Sequence, residues 1–144
     1  YIYYTTPTLP APLTVTGDVR VTLYVSSDAP DTDFMVRLCD VDEAGRSVKL
    51  ADGILAARFR NGFSAPEYLE PGKVEKLVIR TSKISHCFLP GHRLRVSVTS
   101  GAKHFVFPNS NTKDAYNSTE SRVAHNTVWH GGAAPSHILL HVER

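Results

Sequence analysis

The sequence predicts an all-β fold, an antiparallel sandwich or barrel, on three observations. Apolar residues alternate with polar ones at period two, turn signals recur at short intervals, and no stretch of helical period exceeds about two turns. In Val19-Arg20-Val21-Thr22-Leu23-Tyr24-Val25-Ser26, one face carries Val19, Val21, Leu23 and Val25 and the other carries Arg20, Thr22, Tyr24 and Ser26. That is the pattern of a strand with one face on a core and one in water. Leu94-Arg95-Val96-Ser97-Val98-Thr99 repeats it. So does His137-Ile138-Leu139-Leu140-His141-Val142, which places Ile138, Leu140 and Val142 inward. Weaker strands are expected over residues 34–41, 47–51, 54–59, 74–80 and 127–130. The expected core between two sheets is Val21, Leu23, Val96, Val98, Ile138 and Leu140.

The breaks between these runs have turn chemistry: Asp28-Ala29-Pro30-Asp31, Glu43-Ala44-Gly45-Arg46, Glu70-Pro71-Gly72, Pro90-Gly91 and Gly131-Gly132. Two stretches are irregular. Residues 1–13 hold Pro7, Pro10 and Pro12 and read as an extended connector, which leaves residues 14–144 as the domain. Residues 101–122 form a polar stretch rich in Asn and Ser, and a loop that long in a compact domain commonly carries function or an interface.

The 144 residues suffice for one domain with its own core, and the balance of 42% apolar to 21% charged residues is that of a globular chain. A net charge of +2 makes no case for a nucleic-acid partner. No apolar run approaches the ~18 residues of a membrane span, so no membrane partner is expected. No signal peptide is visible, which makes the cytoplasm the default location. The chain opens on Tyr1-Ile2-Tyr3-Tyr4 without a Met and reads as a piece cut from a longer protein. A homo-oligomer is an open alternative. Cys39 and Cys87 lack CxxC spacing and lie in apolar runs, so two buried free thiols are expected rather than a disulfide.

No catalytic constellation is encoded. A G-x-S-x-G nucleophile elbow is absent, and with it the strand-to-helix turn it requires. His86-Cys87 offers both members of a Cys/His couple, but neighbours on a strand point to opposite faces, so one buried Cys beside one exposed His is expected. No metal is expected either. His137 and His141 stand four apart, which chelates on a helix but separates the rings by roughly 13 Å on a strand; His125 and His130 stand five apart. Asp28, Asp31 and Asp33 have a spacing that loosely suggests calcium, yet they lack the Gly and distal Glu of a calcium loop, and Asp forms turns through its own side chain. Asn117-Ser118-Thr119 fits the glycosylation acceptor pattern, which needs a secretory route. No cofactor site is recognised.

Several strings, taken in order, resemble one family. They are Tyr3-Tyr4-Thr5-Thr6-Pro7, Leu13-Thr14-Val15-Thr16-Gly17, Ser26-Ser27-Asp28-Ala29-Pro30-Asp31-Thr32-Asp33-Phe34, Ala51-Asp52-Gly53-Ile54-Leu55-Ala56-Ala57-Arg58-Phe59-Arg60 and Leu69-Glu70-Pro71-Gly72. Phe88-Leu89-Pro90-Gly91-His92-Arg93-Leu94-Arg95-Val96, Phe107-Pro108-Asn109-Ser110-Asn111-Thr112 and Pro135-Ser136-His137-Ile138-Leu139-Leu140 complete the set. The chain resembles the C-terminal domain of the X-prolyl dipeptidyl-peptidase family, which includes the cocaine esterases and α-amino-acid ester hydrolases. The resemblance implies a jelly-roll β-sandwich of the galactose-binding-domain-like type, following an α/β-hydrolase domain whose Ser-Asp-His triad lies upstream of Tyr1. Here Phe105-Val106-Phe107-Pro108 leads into Asn109-Ser110-Asn111, where the family often has a longer basic stretch before Asn-Pro-Asn.

Two functions follow as expectations. In the first, the domain packs on an upstream α/β-hydrolase domain of the same chain, stabilises it and helps wall its substrate pocket. The contacts are expected from the loop of Asp28, Asp31 and Asp33 and from Phe105, Phe107, Asn109 and Asn111. In the second, the sandwich is a carbohydrate- or small-ligand-binding module, with Trp129 as its only Trp.

Overall fold

The computed structural model describes residues 2–62, 65–100 and 126–143. The strands are β1 (Ile2–Thr5), β2 (Leu13–Gly17), β3 (Arg20–Ser27), β4 (Asp33–Val41), β5 (Ser47–Ala56), β6 (Glu75–Arg80), β7 (Ile84–Phe88), β8 (Arg93–Thr99), β9 (Asn126–Trp129), β10 (His137–Leu139) and β11 (Val142–Glu143). One 3-10 turn, Ala57–Phe59, follows β5. Every pairing among these strands is antiparallel. Among the described residues no helix is long and apolar enough to cross a membrane.

One sheet has the order β1-β8-β4-β5. A second has the order β10-β3-β6, with β9 also paired to β3, and a third the order β11-β2-β7. The second and third sheets continue each other around a bend. Only Asp18 and Val19 separate β2 from β3, while Thr81, Ser82 and Lys83 separate β6 from β7. Two residues therefore face three, which is the extra residue of a bulge and bends the ladder. Thr81 bridges the gap. Its N–H donates to the Val19 carbonyl at 3.0 Å, and its Oγ1 accepts the Val19 N–H at 3.1 Å. A hydroxyl thus replaces a missing ladder acceptor in a buried place, where an unpaired N–H would be costly.

The core lies between the first sheet and the bent pair. Phe34, Val36 and Leu38 of β4 and Leu94, Val96 and Val98 of β8 meet Val15, Val21, Leu23, Val25, Leu77, Ile79 and Phe88. Each such side chain contributes about 1.5–3 kcal/mol by leaving water. Of the expected core, Val21, Leu23, Val96 and Val98 are buried, and Ile138 and Leu140 are half-buried against it.

Several details differ from the sequence reading. Val142 is not inward but 45% exposed. The run 137–142 is two strands, and the two-residue β11 sits at the open edge of its sheet. Thr22 and Ser26, assigned to the watery face of β3, are buried. β3 is flanked on both edges, and Trp129 reaches over it to donate its Nε1–H to Ser26 Oγ at 2.9 Å. Within residues 1–13, Ile2–Thr5 forms an edge strand on β8, and Thr6 and Leu9 continue backbone bonding to Leu94 and His92. The cysteines are both free, but only Cys39 is buried; Cys87 is exposed.

Residues 47–51 and 54–59, read as two strands, join in the single strand β5 up to Ala56, with Gly53 inside it. A Cβ at Gly53 would stand 2.6 Å from the Arg80 carbonyl oxygen and 2.9 Å from Ile79 Cγ2. The close approach of β5 to β6 therefore requires glycine, because a backbone oxygen cannot rotate away. Gly53→Ala is expected to lose about 1–3 kcal/mol in a urea titration; an unchanged midpoint would show that the two strands can separate freely.

Candidate functional site

The register brings three connections to one end of the sandwich. Asp33 pairs with Ala56, Met35 with Thr99, and Ser27 with Asn126. The segments 28–32, 57–62 and 65–74, together with Ser100 and Asn126, therefore share that end. Asp31 is fully buried there. Its Oδ1 accepts the Arg58 backbone N–H and its Oδ2 accepts Arg58 Nε–H, each at 2.9 Å. The Arg58 guanidinium also stands 5.3 Å from the Tyr68 ring centroid, within cation–π range. Backbone bonds tie Ala57, Leu69 and Gly72 to the β3–β4 loop: Ala57 N–H to Thr32 O at 2.9 Å, Leu69 N–H to Pro30 O at 2.8 Å and Gly72 N–H to Ser27 O at 3.1 Å. Arg60 fastens the far side through Ala57 O at 2.9 Å and Glu75 at 3.5 Å.

Of the residues singled out in the sequence, Asp31 and Asp33 are buried and Asp28 is half-buried in this loop. Phe105, Phe107, Asn109 and Asn111 lie outside the described residues. Arg58 was not singled out. Its signal was a basic residue next to an apolar run, in Ala56-Ala57-Arg58-Phe59, but its partner lies 27 positions away.

The opposite end holds a second polar cluster, which the sequence reading missed. Asp40 is buried on β4, on the same face as Val36 and Leu38. Its two oxygens meet His86 Nε2 at 2.7 Å and His92 Nδ1 at 2.8 Å. His86 reaches Asp40 from the facing sheet, so this carboxylate joins the two layers. The expectation of a buried Cys87 beside an exposed His86 is thereby reversed. Ile84, His86 and Phe88 share the inner face of β7, and Ser85 and Cys87 face out. Asp40 with His92 has the form of an orienting carboxylate and a base. Among the described residues, neither His86 nor His92 bonds to a hydroxyl or thiol.

Between the layers, at the β1 and β10 edges, lies a cleft of about 380 Å³. Val21, Leu23, Val96 and Val98 form its floor, and Tyr4 and His130 stand edge to face near it at 6.0 Å. Ser136 also lines this cleft. Its Oγ accepts the Tyr24 N–H at 2.9 Å and donates to the Trp129 carbonyl, which commits its one proton to the backbone. Among the described residues, no group of three His, Cys, Asp or Glu side chains is arranged to hold a metal ion.

These features define an antiparallel β-sandwich with no assembled nucleophile–base pair among the described residues. The chain belongs to the family of X-Pro dipeptidyl-peptidase C-terminal non-catalytic domains, which matches residues 2–139. It is 39% identical over 140 residues to a cocaine esterase of Rhodococcus sp. (strain MB1 Bresler), a match covering 95% of this chain and 24% of the esterase. Among solved structures, it superposes with a TM-score of 0.91 and 28% identity on an aminopeptidase from a marine sediment archaeon, Thaumarchaeota archaeon, covering 99% of this chain and 26% of that one. An α-amino acid ester hydrolase gives a TM-score of 0.90 at 27% identity, with 99% and 25% covered. The chain thus spans about a quarter of the length of these relatives.

On the outer surface of the first sheet, Asp52 bonds to Arg37 Nε at 2.9 Å and to Lys49 Nζ at 3.0 Å. Partial burial alone would raise its pKa, but the hydrogen bonds and charges of Arg37 and Lys49 outweigh that and hold it below the ordinary 3.8. A depressed carboxylate contributes stability above its unfolded value and loses it as pH falls through the lower folded value. Asp52→Asn should therefore destabilise by at most ~1 kcal/mol at neutral pH, with the difference vanishing in acid. Urea midpoints of both proteins across the carboxylate range check this; a gap that widens in acid would contradict it.

Proposed function

We propose that this chain is the C-terminal accessory domain of a serine hydrolase of the esterase or X-Pro dipeptidyl-peptidase type. In this reading it has the jelly-roll connectivity of galactose-binding-like domains. It stabilises an α/β-hydrolase domain of the same polypeptide, and its loop-bearing end helps shape the substrate pocket. One observation carries the reading: a family of non-catalytic domains matches nearly the whole chain, while the chain spans only a quarter of its hydrolase relatives. The buried Asp31–Arg58 pair supports it physically, because loops on a rigid scaffold are where such domains place function. The loop of Asp28, Asp31 and Asp33, together with Phe105, Phe107, Asn109 and Asn111, is the proposed contact. Two free cysteines, one of them exposed, accord with a reducing cytoplasm.

The test compares the full-length hydrolase with the 144-residue chain. Asn111→Ala is expected to lower the Tm or raise the KM of the full-length enzyme, with a smaller effect on the stability of the 144-residue chain. Equal destabilisation of both would show that the loop serves only its own fold.

A further inference from the structure

The face of the β10-β3-β6 sheet turned away from the core has a composition that the sandwich itself does not explain. The register sets three rows across it: Leu139–Arg20–Arg80, His137–Thr22–Val78 and Trp129–Tyr24–Lys76. Leu139, Trp129 and Val78 are 49%, 45% and 42% exposed. Every Lys, Arg, Asp or Glu in these rows is basic. Arg20 and Arg80 are directly opposed, and like charges in that position weaken a sheet. Among the described residues neither makes an ion pair, and Arg20 Nε is a buried donor without a hydrogen-bond partner. An unpaired buried donor is costly to keep.

Trp129 is held rather than loose. Its indole N–H is bonded to Ser26 and its carbonyl accepts from Ser136, so the ring is presented in one orientation. A fixed aromatic loses little freedom on binding, and Trp, Tyr and Arg are the residue types that dominate interface energetics. Exposed apolar groups bordered by charge have the anatomy of a recognition surface.

We propose that this face docks on a carboxylate-bearing surface of the catalytic portion of the same polypeptide, with Arg20 and Arg80 pairing to acidic side chains and Trp129 and Leu139 filling its apolar centre. The inference rests on the reading above that such a portion exists. Charge selects this occupant over a second copy of the chain, because two such basic faces would repel each other. Tethering supplies the partner at high effective concentration.

The experiment is side-chain oxidative footprinting, read by mass spectrometry, on the full-length enzyme and on the 144-residue chain. Trp129 should be labelled several-fold more slowly in the full-length enzyme. Arg80→Glu should abolish that protection and lower the full-length Tm. In the 144-residue chain the same change should leave the Tm unchanged or raise it, because it relieves the opposed arginines. Equal labelling of Trp129 in both proteins would overturn the proposal, as would an Arg80→Glu shift of the same sign in both. Protection that grows with the concentration of the 144-residue chain would assign the face to a second copy. Quenching of Trp129 fluorescence by an oligosaccharide would assign it to a sugar, and either result overturns the docking role. Esterase and peptidase assays on the full-length enzyme keep the two readings apart. Activity with an unprotected Trp129 refutes the docking face alone, and protection without activity refutes the hydrolase reading alone.

Discussion

The order of the loop-bearing end depends on the fully buried carboxylate of Asp31 being answered by Arg58. A carboxylate in a dry site without a partner would be strongly destabilising, so the chain there is constrained to bring a donor to it. Arg58 answers with two groups at once, its backbone N–H and its Nε–H. It belongs to the 3-10 turn that ends β5, so the pair fixes where β5 stops as well as where the β3–β4 loop lies. Leu69 and Gly72 then follow the loop through backbone bonds at Pro30 and Ser27. An end built this way has a definite shape fixed by contacts within this chain.

The same logic is repeated at the other end and at the bend. Asp40 receives one histidine from its own sheet's side and one from the facing sheet, which sets the separation of the two layers where the apolar core runs out. Thr81 supplies an acceptor where the ladder loses one. Hydrophobic burial between the sheets is non-directional and would tolerate small slips. These polar contacts have fixed partners, and fully satisfied buried polar networks specify one arrangement out of many. The valine-rich interior supplies most of the stability, and Asp31, Asp40 and Thr81 supply the register.

The parts of the fold that rest on period two were legible in the sequence. β3 and β8 alternate cleanly, and Val21, Leu23, Val96 and Val98 are where that alternation puts them. Ile2-Tyr3-Tyr4-Thr5 has no alternation and lies before three prolines, so its place on the edge of a sheet was hidden. Val142 follows the pattern in sequence but lies beyond the break between β10 and β11, a break set by the bend of the neighbouring strands. Strand geometry puts His86 and Cys87 on opposite faces but does not say which of the two is inward. The flanking Ile84 and Phe88 held the better signal, and with them His86 is inward and its need for Asp40 follows. The ion pair at the loop end shows the deeper limit. Asp31 could be singled out by its company, but the partner that gives it meaning is distant in the chain and arrives only with the antiparallel pairing of β4 and β5. Family resemblance was legible because it needs only the order of motifs and no contact between them.

Asp31 holds the loop-bearing end from within this chain. Amide hydrogen exchange on the 144-residue chain, compared with its Asp31→Ala variant, tests it most directly. The Arg58, Leu69 and Gly72 amides should exchange slowly in the parent, at rates governed by cooperative opening, and all three should become fast together in the variant while the Val96 and Leu77 amides of the sheets stay protected. Fast exchange at Leu69 and Gly72 in the parent, or protection that survives loss of the Asp31 carboxylate, would contradict it.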